Sequence, residues 1–81
     1  MTIRVKLFAI LRDTAGVSDV TLDLPEKADV GQAIEALGRR LPQVRESLNR
    51  SAFAVNQSYV KNEQLLRDGD ELAVIPPVSG G

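Results

Sequence analysis

Cysteine is absent from this 81-residue sequence, and its absence excludes two kinds of stabilising site. Without a thiol, the chain can form no disulfide and can offer no thiolate to a structural metal ion. The composition therefore gives no redox argument for the compartment in which the protein works.

Histidine is absent as well, so the commonest general base and the commonest metal ligand are both missing. The serines have no histidine partner for nucleophilic catalysis. Three neighbouring carboxylates, Asp68, Asp70 and Glu71, lack the longer, regular ligand spacing of a calcium loop, and we interpret them as part of a turn. We predict that the chain is not an enzyme by itself and that it binds no metal ion or cofactor.

Neither charge nor hydrophobicity is concentrated in this sequence. Ten basic and eleven acidic residues give a net charge of −1, whereas nucleic-acid binding needs a basic face. Arg4 and Lys6 interrupt the apolar N-terminal stretch, and no run approaches the roughly 18 apolar residues of a membrane span. We therefore predict a cytoplasmic protein that binds neither nucleic acid nor a membrane.

Apolar and polar residues alternate in the first third of the chain. The alternation over 3–7 predicts one strand, and a second strand follows over 20–24. Between them, 9–15 predicts a short helical turn that Gly16 stops. The two strands are close enough in sequence to form a hairpin.

The apolar spacing then changes from that of a strand to that of a helix. Asp29 and Gln32 resemble a capping box at its start, and Pro42 ends the helix. Gly38 is expected to allow close packing against the sheet, and 43–49 adds a further turn. Five apolar residues fall on one helical face: Val30, Ala33, Ile34, Leu37 and Leu41.

The second half of the chain returns to short extended segments. Strands are predicted over 53–55 and at Tyr59-Val60, with an Asn56-Gln57 turn between them. Asp68-Gly69 predicts a turn before the last strand, 72–75.

This order of elements predicts an α+β fold of the β-grasp type, with a mixed sheet of four to five strands crossed by one main helix. We expect a β-grasp domain over residues 1–75 and an extended tail over 76–81. The helix is expected to cover seven core residues: Leu7, Leu22, Ile34, Leu37, Val55, Leu72 and Val74.

The chain ends in a stiff and slender segment. The prolines favour an extended exit, and the two glycines carry no Cβ. Six residues extend about 20 Å, enough to deliver the terminal carboxylate of Gly81 into a narrow site on another protein. The tail consists of Pro76, Pro77, Val78, Ser79, Gly80 and Gly81.

Two apolar residues near the tail break the alternation of their strands. Phe8 follows the core-facing Leu7, and Ile75 follows the core-facing Val74, so both are expected to face away from the core. The two strands would be neighbours in a β-grasp. We therefore predict an exposed apolar patch that binds a partner.

The sequence resembles the small subunit of molybdopterin synthase, a ubiquitin-like sulfur carrier. The resemblance covers nearly the whole chain and is carried by "VKLFAILRDTAG", "AVNQ" and above all "LRDGDELAVIPPVSGG". Ile75 and Tyr59 stand where an apolar or aromatic residue suits the partner surface of that family. With Phe8, they form the interface that the resemblance implies.

The resemblance also implies a mechanism and a set of partners. An ATP-dependent activating enzyme converts the carboxylate of Gly81 to an acyl-adenylate, and a sulfur donor protein replaces AMP to leave a thiocarboxylate. The large synthase subunit, in a heterotetramer of two small and two large chains, then passes the sulfur to a pterin precursor to build the molybdopterin dithiolene. The catalytic side chains belong to the large subunit, and ATP is used by the activating enzyme alone.

Three other functions remain open on the sequence. A sulfur carrier for thiamine synthesis shares the fold and the chemistry but has another acceptor. A ubiquitin-like modifier conjugates its diglycine to proteins. A non-catalytic β-grasp binding module resembles the "VNQ…L…DGDEL" stretch but needs no free diglycine.

Overall fold

The computed structural model describes residues 1–77 and contains five strands and three helices within that range. The predicted short helical turn and its glycine stop are confirmed, because Gly16 adopts the left-handed conformation at the helix end. In chain order the elements are β1 (Thr2–Leu7), α1 (Ala9–Ala15), β2 (Asp19–Asp23), α2 (Val30–Arg40), a 3₁₀ turn (Pro42–Val44), α3 (Arg45–Leu48), β3 (Ala52–Val55), β4 (Ser58–Val60) and β5 (Glu71–Ile75).

The strands form one mixed sheet in the order β2-β1-β5-β3-β4. β1 pairs with β2 in an antiparallel hairpin and with β5 in parallel, and β3 pairs antiparallel with both β5 and β4. A parallel pair needs a long crossover, and α2 lies within the segment that connects the two halves of the sheet. The predicted mixed sheet with one main helix is confirmed.

One face of the sheet packs against α2 to form the core. Of the seven predicted core residues, five are buried: Leu7, Leu22, Leu37, Leu72 and Val74. Ile34 and Val55 are only half-buried and pack against the core from its rim. Ile34 borders a groove between α2 and α3, and Val55 ends β3 beside the hairpin turn, so neither is fully covered.

The start of α2 has the predicted capping box. Asp29 Oδ1 accepts a hydrogen bond from the Gln32 amide at 2.9 Å, and Gln32 Oε1 accepts one from the Asp29 amide at 3.0 Å. These bonds satisfy two donors that a helix start otherwise leaves unpaired. The expectation for Gly38 was wrong: a Cβ there would lie 3.4 Å from Arg45 Nε, so this glycine faces the α3 segment and not the sheet.

The β3–β4 hairpin positions Tyr59 at the sheet edge. Its two turn residues, Asn56 and Gln57, both have positive φ, as a two-residue hairpin turn of type I′ requires. This turn sets the register in which Ala54 lies opposite Tyr59. The turn predicted from the sequence is therefore confirmed.

Candidate functional site

The sheet face opposite α2, which we call the open face, brings the three predicted interface residues onto one surface. Ala54 of β3 lies between Tyr59 on β4 and Ala73 on β5, and Ala52 pairs with Ile75. Strand residues alternate between faces, so these five residues point away from the core side chains Leu72 and Val74. Phe8 follows Leu7, which faces the core, and so lies at the open-face end of β1. We define the open-face patch as Phe8, Ala52, Ala54, Tyr59, Ala73 and Ile75.

The open-face patch is apolar and accessible. Phe8 is 42% exposed and Tyr59 is 75% exposed, while Ile75 is half-buried. Ala54 also lies on this face, outside the core cluster. It is only 5% exposed, because the residues on the neighbouring strands cover so small a side chain. Small alanines between larger apolar groups leave a shallow surface on which another protein can pack.

Charged side chains border the open-face patch on the β1 side. Lys6, which pairs in register with Ala73, places its Nζ 3.1 Å from Glu71 Oε1. Both side chains remain partly exposed, so the pair contributes little to stability. The open face is thus divided between a charged part and an apolar part, and the apolar part lies beside the end of β5.

The tail leaves the sheet between two apolar surfaces. Pro76 is buried and Pro77 is exposed. Together with Ile10, Ser47 and Arg50 they line a groove, which we call the tail-root groove. The predicted tail residues Val78, Ser79, Gly80 and Gly81 lie outside the described residues.

The carboxylates at the other end of β5 are used to hold the turn. Asp68 Oδ1 accepts a hydrogen bond from the Thr2 amide at 2.8 Å. Asp70 accepts one from the Arg67 amide at 2.8 Å and another from Asn56 Nδ2 at 3.0 Å. Their bonding supports the turn interpretation, and residues 1–77 contain no group of three acidic side chains that could hold a metal ion.

Reasoning from the sequence missed three residues near these two ends. Asn56 was assigned to a turn, but its side chain also binds both Asp70 and the Glu71 amide. The sequence gives no signal that Ile10 and Arg50 lie near the tail, because the β1–β5 pairing brings Ile10 there and the β3–β5 pairing brings Arg50 there. No local pattern signals such a contact.

The helices of the described region are short. The longest, α2, has 11 residues, and no helix within residues 1–77 is long and apolar enough to span a bilayer.

Comparison with known sequences places the whole chain in one family. The model of the ThiS family matches residues 5–81. The molybdopterin synthase sulfur carrier subunit of Chlamydomonas reinhardtii is 37% identical over 83 residues, which cover 100% of this chain and 100% of that protein. The subunit of the same name from Arabidopsis thaliana is 35% identical over 98% of this chain and 82% of its own length.

Solved structures share the fold. The crystal structure of SAMP1 from Haloferax volcanii superposes with a TM-score of 0.93 at 31% identity, covering 100% of both chains. A ubiquitin from Caldiarchaeum subterraneum superposes with a TM-score of 0.64 at 19% identity over 100% of this chain and 98% of its own, which shows the ubiquitin-like β-grasp fold alone. The chain therefore belongs to the ThiS family and, within it, to the molybdopterin synthase sulfur carrier subunits.

Proposed function

We propose that this chain carries sulfur for a molybdopterin synthase on the terminal carboxylate of Gly81. The observation that carries the proposal is the position of the open-face patch, which lies beside the point where the tail leaves β5. A partner that packs on the patch is thereby placed to receive the tail. The similar proteins from Arabidopsis thaliana and Chlamydomonas reinhardtii are named molybdopterin synthase sulfur carrier subunits, and the match to the ThiS family model extends to Gly81.

The proposed chemistry begins with activation of a poor acyl donor. A Gly81 oxygen attacks the α-phosphorus of ATP on the activating enzyme and releases pyrophosphate, which leaves an acyl-adenylate. Hydrosulfide released by a sulfur donor protein then attacks the acyl carbon, and AMP leaves with the original carboxylate oxygen. The product is a thiocarboxylate on Gly81, and the chain's other residues serve to present it.

The second half of the cycle takes place on the large subunit. The thiocarboxylate sulfur bonds to a carbon of a cyclic pyranopterin monophosphate precursor, and water then hydrolyses the resulting thioester, which restores the Gly81 carboxylate. Two such deliveries build the dithiolene. Cysteine and histidine are absent from this chain, so we expect the catalytic side chains on the large subunit. We propose a heterotetramer of two small and two large chains in the cytoplasm, where the activating enzyme has ATP.

The open-face patch provides the first test of this proposal. Phe8→Asp introduces a charge that the apolar contact would have to desolvate, so binding to the large subunit should weaken about tenfold or more. The melting temperature should change little, because Phe8 is 42% exposed. Titration calorimetry with the large subunit from the same organism measures the affinity.

Leu65→Asp is the matched control for this variant, because Leu65 is an exposed apolar residue at 58% and lies in the loop that precedes β5. It should bind as the wild type does. Equal affinities for Phe8→Asp and the wild type would contradict the proposed docking surface. A large loss of melting temperature in Phe8→Asp would show instead that the ring supports the fold.

The acceptor distinguishes this proposal from a carrier for thiamine synthesis. Chain prepared as the Gly81 thiocarboxylate should yield molybdopterin when mixed with the large subunit and the cyclic pyranopterin monophosphate. It should transfer little sulfur to a thiamine thiazole synthase under the same conditions. The opposite result would assign the chain to the thiamine pathway and leave its sulfur-carrier chemistry intact.

A second candidate function is attachment of the chain to other proteins. It is favoured by the likeness to SAMP1, because the solution structure of the Methanosarcina acetivorans protein of that name describes it as small archaeal modifier protein 1. Trypsin cuts after Arg67, so a conjugated lysine would carry residues 68–81 as a branch. Mass spectrometry of cell extracts would detect that branch if the chain is a modifier, and we expect free chain only.

A further inference from the structure

We infer that the tail-root groove is a second contact with the large subunit, in which Ile10 and Arg50 line the entrance of the site that receives the tail. This inference rests on the proposed function. It adds to the interface residues on the helix side of the sheet, which the open-face patch does not include. The contact would pack an apolar side chain of the large subunit against Ile10 and Pro77. An oxygen acceptor of the large subunit would bind Arg50.

The position of the groove follows from the alternation along β5. Ile75 belongs to the open face, so Pro76 points to the side of the sheet that carries the helices, where it is buried. On that side Ile10 projects from α1, whose Leu11 is part of the core. The tail root therefore has the open-face patch on one side and the tail-root groove on the other.

The short reach of the tail favours contact between the partner and the groove. Four residues follow Pro77, and they can extend at most about 14 Å from it. A narrow site that encloses the carboxyl group of Gly81 must therefore open close to Pro77. A protein surface that surrounds the tail at this distance covers both sides of its root, and the open-face patch accounts for only one of them.

The groove has the chemistry of a binding surface. Ile10 is 58% exposed and lines the groove with the exposed Pro77, so the two side chains form a continuous apolar surface beside the tail root. Arg50 Nη2 lies 3.2 Å from Glu46 Oε1, and both side chains are largely exposed. A guanidinium has five N–H donors in a fixed arrangement, so Arg50 can keep this contact and still donate to an oxygen acceptor on the large subunit.

Two variants with matched controls test the inference. Ile10→Asp is paired with Leu65→Asp, because Ile10 and Leu65 are each 58% exposed. Arg50→Glu is paired with Arg67→Glu, which changes the net charge equally. The control residues lie before β5, whereas the groove lies at its end. The readout is the affinity for the large subunit, measured by titration calorimetry, with the melting temperature of each free variant as the folding check.

We expect Ile10→Asp to weaken binding about tenfold and Arg50→Glu to weaken it about fivefold. Both controls should bind as the wild type does. Wild-type affinity for both groove variants, together with weak binding by Phe8→Asp, overturns the inference and leaves the proposed function in place. Wild-type affinity for Phe8→Asp as well contradicts the proposed docking surface and this inference together.

Discussion

The two ends of β5 differ in how their side chains are used. At its start, the carboxylates of Asp68 and Asp70 accept hydrogen bonds from the chain's own backbone and from Asn56. At its end, Ile10 remains largely exposed beside the tail root, and Phe8 remains exposed directly after β1, the strand that pairs with β5 in parallel. The polar groups at the start of β5 are hydrogen-bonded within the molecule, whereas the side chains at its end form an apolar surface that another protein can cover.

This difference indicates which residues maintain the fold and which bind. Removal of a group that is hydrogen-bonded within the chain lowers the stability of the fold, because its partner loses that hydrogen bond. Exposed apolar groups lose little stability when they are changed, but they can contribute much to an interface. A substitution at the start of β5 should therefore lower stability without changing affinity, and one at its end should do the reverse.

The largest effect is expected at the tail itself. Deletion of Gly81, or addition of one alanine after it, should lower sulfur transfer by more than about 100-fold, because the reacting carbon no longer reaches its fixed position. The melting temperature should stay the same. A single-turnover assay with the large subunit measures the transfer, and thermal unfolding measures the stability. Normal transfer by the extended chain would contradict the proposed mechanism, and loss of cooperative unfolding on deletion would make the tail structural.

The second-largest effect is expected in the hydrophobic core, which supports both ends of β5. Leu37 is completely buried under the sheet, so Leu37→Ala leaves a cavity and should cost about 2–5 kcal/mol of unfolding free energy. Thermal unfolding measures the loss. Saturating large subunit should partly restore the melting temperature, because it binds only the folded chain. Leu65→Ala, at an exposed site, is the control, and an unchanged melting temperature for Leu37→Ala would show that the buried face of α2 is assigned wrongly.

The smallest effect is expected at the start of β5. Asp70→Ala removes two exposed hydrogen bonds, one from the Arg67 amide and one from Asn56 Nδ2, and should cost about 1 kcal/mol, because water can replace the lost acceptor. Urea denaturation measures this loss, with Glu63→Ala in the preceding loop as the control. The affinity for the large subunit should not change. Weaker binding by folded Asp70→Ala would contradict the division between the two ends.

Local patterns were sufficient to predict most of the fold. Period-two alternation predicted β1 and β5, and the helical spacing around Leu37 predicted the buried face of α2. Asp29 and Gln32 predicted the capping box in its observed form. These features succeed because strand periodicity, helix periodicity and capping depend on neighbours in sequence.

Features that depend on distant neighbours were not predicted. The role of Gly38 was wrong because its nearest contact is Arg45 of α3, whose position no spacing rule defines. The bond from the Glu71 amide to Asn56 Oδ1 joins residues 15 positions apart. Alternation was enough to predict that Phe8 and Ile75 face away from the core, but the burial of Ala54 outside the core depends on pairing with two other strands.

The central claim is that Gly81 becomes the sulfur-bearing residue, and intact mass spectrometry tests it most directly. The chain is incubated with ATP, sulfide and an activating enzyme of the ThiS-family pathway, and the C-terminal peptide after Arg67 is then isolated. We predict that the whole chain and this peptide both gain the mass difference between one sulfur and one oxygen atom, and that omission of ATP prevents the gain. An unchanged mass with an activating enzyme that thiolates a known carrier in the same assay would contradict the account.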